Sequence, residues 1–443
     1  MDSIVIIFIA GLIGLFAGMR KQAGLSLIVA VLGLVGAGMA AYFRGSYASP
    51  IHAYAAQVPT PPMVIILLCG VTLLAILGGF QRYKQDLEHT SDYFALILFS
   101  LCGAILMAVP SDLMLFFIGL EILSIPIYVL VGIEKGSSLS AEAAIKYFFT
   151  GSFASAIMLF GIALLYGATG SFQLVEIQSN LAIGIWQSPM AMIGSLFILG
   201  GFVFKIGAVP FHFWGPDVYQ GASNAVLMYM STVVKIAGIY AVIYVFAMVF
   251  RDSYFFWIDL VSLIIVASVF YGYITAWKQT SFRRLIAYSS IANAGLMLFS
   301  LADANNTNVF FFVMAYAVST IALVVSNQSN GENADDIAAW EGLAWKHPLL
   351  GLSIVLALFS LAGIPPMAGF FGKFTLLWAA APHLPYTTIL ALIGSVIGAF
   401  VYLRLLLLAL KKPTVSIRTH LSIEQSIVLI ICSVLTLGAI FII

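Results

Sequence analysis

Long apolar stretches separated by short polar breaks run from one end of the chain to the other. A membrane-crossing helix needs about 20 mostly apolar residues. By that measure fourteen helices are predicted, over roughly 3–19, 23–43, 61–80, 93–109, 111–133, 141–166, 189–221, 223–250, 254–276, 281–301, 308–326, 348–380, 385–410 and 423–443. No stretch alternates polar and apolar residues with period two, which excludes a membrane β-barrel. The expected fold class is therefore an all-α membrane protein of about fourteen transmembrane helices.

Two of these helices are interrupted. The seventh contains Gly207, Pro210 and His212, and the twelfth contains Gly363, Pro365 and Pro366. Proline removes a backbone donor and clashes with the preceding turn. The carbonyls so freed at membrane depth must find protein, water or an ion. The breaks lie five helices apart, and a shift of five reverses helix direction. Helices four to eight and nine to thirteen are thus expected to form an inverted repeat, an arrangement common in secondary transporters. The expected divisions are an N-terminal three-helix segment (1–92), a first five-helix repeat (93–250), a second inverted repeat (251–411) and a C-terminal helix (412–443).

Composition adds the solvent. Of 443 residues, 62% are hydrophobic and 8% charged, where a soluble domain carries about a quarter charged. Lipid must cover much of the surface. The net charge of +1 and the lack of any long basic stretch exclude nucleic acid as a partner. Cys69, Cys102 and Cys432 lie inside apolar segments without CxxC spacing, which argues against an iron–sulfur cluster, a zinc site or a disulfide framework. Neither GxGxxG after a strand nor a P-loop occurs, so NADH and ATP have no binding device of those kinds. The 38 glycines are dispersed through apolar segments and read as close helix packing. The first apolar run is followed, not preceded, by Arg20 and Lys21. That order marks a retained helix with its N-terminus outside rather than a cleaved signal.

The loop charges set the orientation. With the N-terminus outside, the odd-numbered loops hold twelve basic residues: Arg20, Lys21, Arg82, Lys84, Lys135, Lys278, Arg283, Arg284, Lys346, Lys411, Lys412 and Arg418. The even-numbered loops hold only Arg44 and Arg251. This is a strong positive-inside bias, and it places both termini outside. Five of the 19 basic residues remain inside helices: Lys146, Lys205, Lys235, Lys373 and Arg404. Glu121 joins them near the middle of the fifth helix.

A charge at the bilayer centre costs about 2.5–3.5 kcal/mol. One Glu–Lys pair could simply tie two helices together. Glu121, Lys205, Lys235 and Lys373 together make a poor neutral core and a sensible proton relay, because burial brings a lysine towards neutrality and a nearby carboxylate reverses that. Lys146 lies one turn into its helix, where reaching back to the cytoplasmic edge is as good a reading as a relay role. Arg404, near a helix end, reads as snorkelling. His212 sits at a break that invites water, which favours proton handling over packing. The Tyr and Trp residues read mostly as an interfacial belt. The acidic loop Asn327 to Trp345, with Glu332, Asp335, Asp336 and Glu341, reads as solvated, with docking of a neighbouring subunit as the alternative.

Three stretches resemble a known family. Phe204 to Ala222, FKIGAVPFHFWGPDVYQGA, is similar to the signature of antiporter-like subunits of respiratory complex I, and its PDVYQGA ending resembles the N-type subunit. Leu361 to Phe374, LAGIPPMAGFFGKF, and Glu142 to Phe148, EAAIKYF, match the same family. The resemblance covers nearly the whole chain in helix order. It implies that Glu121 and Lys205 pair, that Lys235 is the central lysine, that Lys373 is the terminal ionisable group, and that Lys146 belongs to the first half-channel. A lysine at 373 and the absence of a long lateral helix after the core resemble the N type more than the M or L types. One departure is visible: Ser223 and Asn224 follow Ala222 where the family often has a proline. The family implies a non-redox, proton-translocating subunit of NADH–quinone oxidoreductase in the bacterial inner membrane. NADH, FMN, iron–sulfur clusters and quinone would be bound by other subunits, and this chain would hold no cofactor. The implied partners are L- and M-type antiporter-like subunits, small K- and J-type subunits and membrane lipid. A subunit of a multi-subunit Na+/H+ antiporter is the alternative.

Overall fold

The computed structural model describes residues 2–18, 23–43, 61–85, 89–302, 308–331, 335–412 and 420–438. Arg20, Lys21, Arg44, Glu332 and Arg418 lie outside them. The first helices are α1 (Asp2–Gly18), α2 (Ala23–Phe43), α3 (Pro61–Gln85), α4 (Thr90–Ala108), α5 (Leu113–Val131), α6 (Ser138–Thr169) and the short α7 (Leu174–Ala182). Then come α8 (Pro189–Ile206), the short α9 (Trp214–Gly221), α10 (Asn224–Val242), α11 (Tyr254–Trp277) and α12 (Phe282–Met297). The last are α13 (Asn308–Gln328), α14 (Pro348–Ala362), α15 (Ala368–Ala380), α16 (Pro385–Leu410) and α17 (Ile423–Gly438). Among the described residues there is no β-strand, only isolated bridges. Within those described residues, eleven helices are long and apolar enough to cross a membrane, and Asp2–Ala17, Pro348–Ala362 and Ile423–Gly438 are shorter apolar helices.

The layering follows from which helices tolerate polar residues. Every residue of α10 is buried, and α12 and α13 are buried over most of their length. These three central helices carry Lys235, Asn293, Ser290, Tyr316 and Thr320. The outer helices present large apolar side chains outward: Phe153 is 71% exposed, Phe255 88% and Leu407 70%. Such a surface suits hydrocarbon and not water.

Helices α8 and α14 end in the same way. Gly207 (φ 69°) and Gly363 (φ 75°) adopt the left-handed conformation that glycine takes without a Cβ penalty. Gly207 N donates to Phe204 O (3.0 Å) and Ala208 N to Val203 O (2.9 Å). Gly363 N donates to Ser360 O (3.0 Å) and Ile364 N to Phe359 O (3.0 Å). Both ends are therefore Schellman motifs. In each, the third residue after the glycine is a cis proline, Pro210 or Pro366.

Three expectations change. The segment between the sixth and seventh helices contains α7, whose Leu174, Ile177 and Leu181 are buried on one face. It is too short to cross, so a search by apolar length passes over it. The tyrosines are not mostly an interfacial belt: Tyr229, Tyr240, Tyr273 and Tyr402 are fully buried. The loop after α13 is not simply solvated. Trp340 and Leu343 are fully buried, Trp340 stacks on Phe282 at 5.0 Å, and Trp340 Nε1 donates to Asn327 Oδ1 (2.8 Å). Asp335 accepts from Ser281 Oγ (2.6 Å) and Arg283 N (2.9 Å). The loop is thereby pinned to the start of α12.

Candidate functional site: a buried polar row

Glu121 and Ser124 lie one turn apart on α5, a helix that α4 meets at glycine. A Cβ on Gly103 would fall 2.2 Å from Leu123 N and 2.6 Å from Gly119 O, so only glycine permits this approach. Ser100 Oγ of α4 donates to Leu123 O (2.9 Å), between the two polar residues. Pro126 inside α5 removes the N–H that Ile122 O would otherwise accept.

Lys205 stands in the last turn of α8 and is 4% exposed. Its Nζ donates to Ser124 Oγ (2.6 Å), and Ser124 Oγ donates to Leu120 O (2.5 Å). Glu121, the expected partner of Lys205, has its Oε1 buried without a hydrogen-bond partner. Among the described residues no ion pair within 4 Å joins the two. The expected direct contact is thus replaced by a serine one turn along α5, with the carboxylate oxygen left over.

A narrow cavity of about 10 Å³, room for about one water, is lined by Lys205, Lys235, Tyr219 and Ser290. A second of similar size, also lined by Lys205, has Ser124 and Tyr128 in its wall. Lys235, also 4% exposed, donates from Nζ to Ser290 O (2.6 Å). Ser290 is a junction: its Oγ accepts from Tyr316 Oη (2.9 Å) and lies 3.5 Å from Tyr219 Oη. One turn beyond Tyr316, Thr320 is also buried. Neighbouring Ser319 donates to Ser360 Oγ (2.9 Å), which also accepts from Gly369 N (3.2 Å). Lys373, 7% exposed, reaches from α15 back to Leu361 O (2.5 Å). The helical partner of that carbonyl would be the N–H of residue 365, which is proline. The ammonium therefore satisfies a carbonyl that the break set free.

A branch lies beside the junction. Ser289 Oγ and Tyr402 Oη are 2.5 Å apart, and Asn293 Nδ2 donates to Tyr402 Oη (3.1 Å) and Ser289 O (2.8 Å). Asn293, Ser289 and Tyr402 are buried. Buried hydroxyls joined in series can pass protons by exchanging donor and acceptor roles.

The remaining candidates stand apart. Lys146 is 42% exposed and pairs with Glu142 (2.7 Å) and Asp217 (2.6 Å), at one end of the bundle rather than in the row. His212 is 6% exposed and packs edge-on against Tyr271 at 4.4 Å. Its Nδ1 is buried without a partner, and it lines neither cavity described above. Arg404 lies outside the row, bonding to Trp277 O and standing over the Trp277 ring at 5.8 Å. Sequence reading missed Ser124, Ser290, Tyr316, Ser319 and Ser360. Their only signal is a hydroxyl in an apolar helix, which recurs too often to single them out.

Comparison with known proteins bears on this arrangement. Residues 110–437 match the membrane family described as NADH:quinone oxidoreductase/Mrp antiporter. NADH-quinone oxidoreductase subunit N of Trichlorobacter lovleyi is 34% identical over 406 residues, covering 89% of this chain and 82% of the relative. A chain of respiratory complex I from Thermus thermophilus, solved with bound aureothin, superposes with a TM-score of 0.84 at 29% identity, covering 98% of this chain and 96% of that one. A chain of the Mrp complex from Dietzia sp. has the same fold, with a TM-score of 0.84 at 19% identity over 100% of this chain and 95% of that one.

Proposed function

The chain belongs to the family of NADH-quinone oxidoreductase subunit N, and from that premise we propose that its buried row conducts protons across the membrane while electron transfer takes place in other subunits. The carrying observation is the succession of buried groups Lys205, cavity, Lys235, Ser290, Tyr316, Ser319, Ser360 and Lys373, with hydrogen bonds from Lys235 to Ser290 O, from Tyr316 to Ser290 Oγ and from Ser319 to Ser360 Oγ. Protons enter at the Glu121–Lys205 end, pass through Lys235, and leave outward beyond Lys373. Movement of the Glu121 carboxylate towards or away from Lys205 would change the lysine's hold on its proton. Free energy from quinone reduction elsewhere would arrive as a change in the charge or hydration of this row.

The basic face carrying Arg82, Lys135, Arg283 and Arg284 is the cytoplasmic one in this proposal, with both termini outside a bacterial inner membrane. The partners are L- and M-type and the small K- and J-type subunits, and NADH, FMN, iron–sulfur clusters and quinone sit with other chains. The matching Schellman ends at Gly207 and Gly363 support reading 93–250 and 251–411 as repeats. A cation/proton antiporter subunit is the second reading, favoured by the shared fold and by a family description that also names Mrp antiporters.

Inverted vesicles holding the whole complex separate the two. NADH-driven acidification of the lumen supports the first reading, and Na+-dependent proton exchange without NADH supports the second. Within the first, Tyr316→Phe deletes one hydroxyl of the row and leaves the ring in place. Stability should fall by about 1 kcal/mol, the scale of one hydrogen bond, whereas NADH-driven acidification should slow several-fold. Equal acidification rates in variant and parent would remove Tyr316 from the route.

A further inference from the structure

The short helix α9 separates two spaces. Its Gln220 and Gly221 line a cleft of about 680 Å³ at the basic face, shared with Arg82, Glu134 and Arg283. Its Trp214, Gly215 and Tyr219 line the inner cavity that touches Lys205 and Lys235. Residues of one eight-residue helix thus line both the open cleft and the cavity at the buried lysines.

Asp217 holds this plug from both halves of the molecule. Its Oδ2 accepts from Lys146 Nζ of α6 (2.6 Å), and its Oδ1 accepts from Arg284 Nη1 of α12 (2.8 Å). Arg284 also donates to Gln220 Oε1 (3.2 Å), and Arg283 Nη1 donates to Gln220 O (3.1 Å). On the α6 side the packing is close: a Cβ on Gly221 would fall 2.5 Å from Ala143 Cβ. Asp217 is the one residue of the plug that binds a cation on each side. The inner cavity, with room for about one water, is thereby kept apart from a cleft large enough for many.

We infer that Asp217 is a positioning residue that latches α9 shut between Lys146 and Arg284, and that release of this latch admits water from the basic-face cleft to the Lys205–Lys235 cavity. Lys146 gains a role outside the row: it holds the closure and carries no proton along it. The latch joins the two proposed repeats, so a shift of α12 relative to α6 would open it without moving any buried lysine. This inference deepens the proton-relay reading and rests on it for its purpose. Its test reads access alone, so its failure would leave that reading standing.

The test places a thiol on the inner side. Ala287 lines the inner cavity and is 2% exposed. Ala287→Cys is introduced in the whole complex in lipid nanodiscs and exposed to 2-aminoethyl methanethiosulfonate, with labelling of this chain read by mass spectrometry. Adding Asp217→Asn, which keeps size and removes charge, should raise the labelling rate at least about tenfold, equivalent to about 1.4 kcal/mol of lost closure. Asp217→Glu should restore a slow rate. The native Cys69, Cys102 and Cys432 are buried and should stay unlabelled throughout. An unchanged rate in Asp217→Asn would overturn the latch. So would parallel labelling of the three native cysteines, which would mean general loosening.

Discussion

Lys235→Met is expected to lower NADH-driven proton translocation by about a hundredfold while the complex still assembles. Methionine nearly matches lysine in length and flexibility, so packing along the fully buried α10 is kept. The substitution removes a buried charge whose insertion costs about 2.5–3.5 kcal/mol, so the fold has no reason to weaken. What is lost is the group between the inner cavity and Ser290 that can both take and give a proton. General acid–base groups contribute about 10²–10⁴-fold to proton-transfer steps, and the lower end of that range sets the expectation. The check is lumen acidification in inverted vesicles, with the amount of assembled complex measured alongside.

Gly103→Ala should act through structure. The added Cβ meets three backbone atoms of α5, the nearest at 2.2 Å. Backbone cannot rotate away as a flexible side chain does, so α4 and α5 must separate. Overpacking in a well-filled core costs about 1–3 kcal/mol, and this site belongs at the upper end. The separation also displaces Glu121 and Ser124 relative to Lys205 and strains the Ser100–Leu123 hydrogen bond. Both the thermal stability of the purified complex and proton translocation should fall. Gly14→Ala, with nothing within 4 Å of the new Cβ, should change neither.

The sequence exposes what is expensive. Apolar runs of about 20 residues must be helices in lipid, and buried charges among them must be placed with purpose. For those reasons the helices and Lys205, Lys235 and Lys373 were legible without a structure. The helix ends at Gly207 and Gly363 were legible for the same reason, since proline in a membrane helix leaves a carbonyl unsatisfied. What it would be satisfied by was not: that Lys373 takes Leu361 O depends on how α15 folds back against α14. The hydroxyl row was illegible because Ser290, Tyr316, Ser319 and Ser360 lie on three helices and cost little individually. Lys146 was half legible. Its sequence position allowed either a relay role or an edge role, and only the contact with Asp217, 71 residues away, shows it at the edge. The buried Trp340 was hidden by the acidic residues around it, which make the whole loop look solvated.

The central claim is that the row from Glu121 to Lys373 carries the protons. Its most direct measurement is the ratio of protons translocated to NADH oxidised by the whole complex in proteoliposomes, compared among the parent, Glu121→Gln, Lys205→Met and Lys373→Met. A loss of coupled translocation in each variant, with the complex still assembled, is the predicted result. A parental ratio and rate in all three would contradict the account.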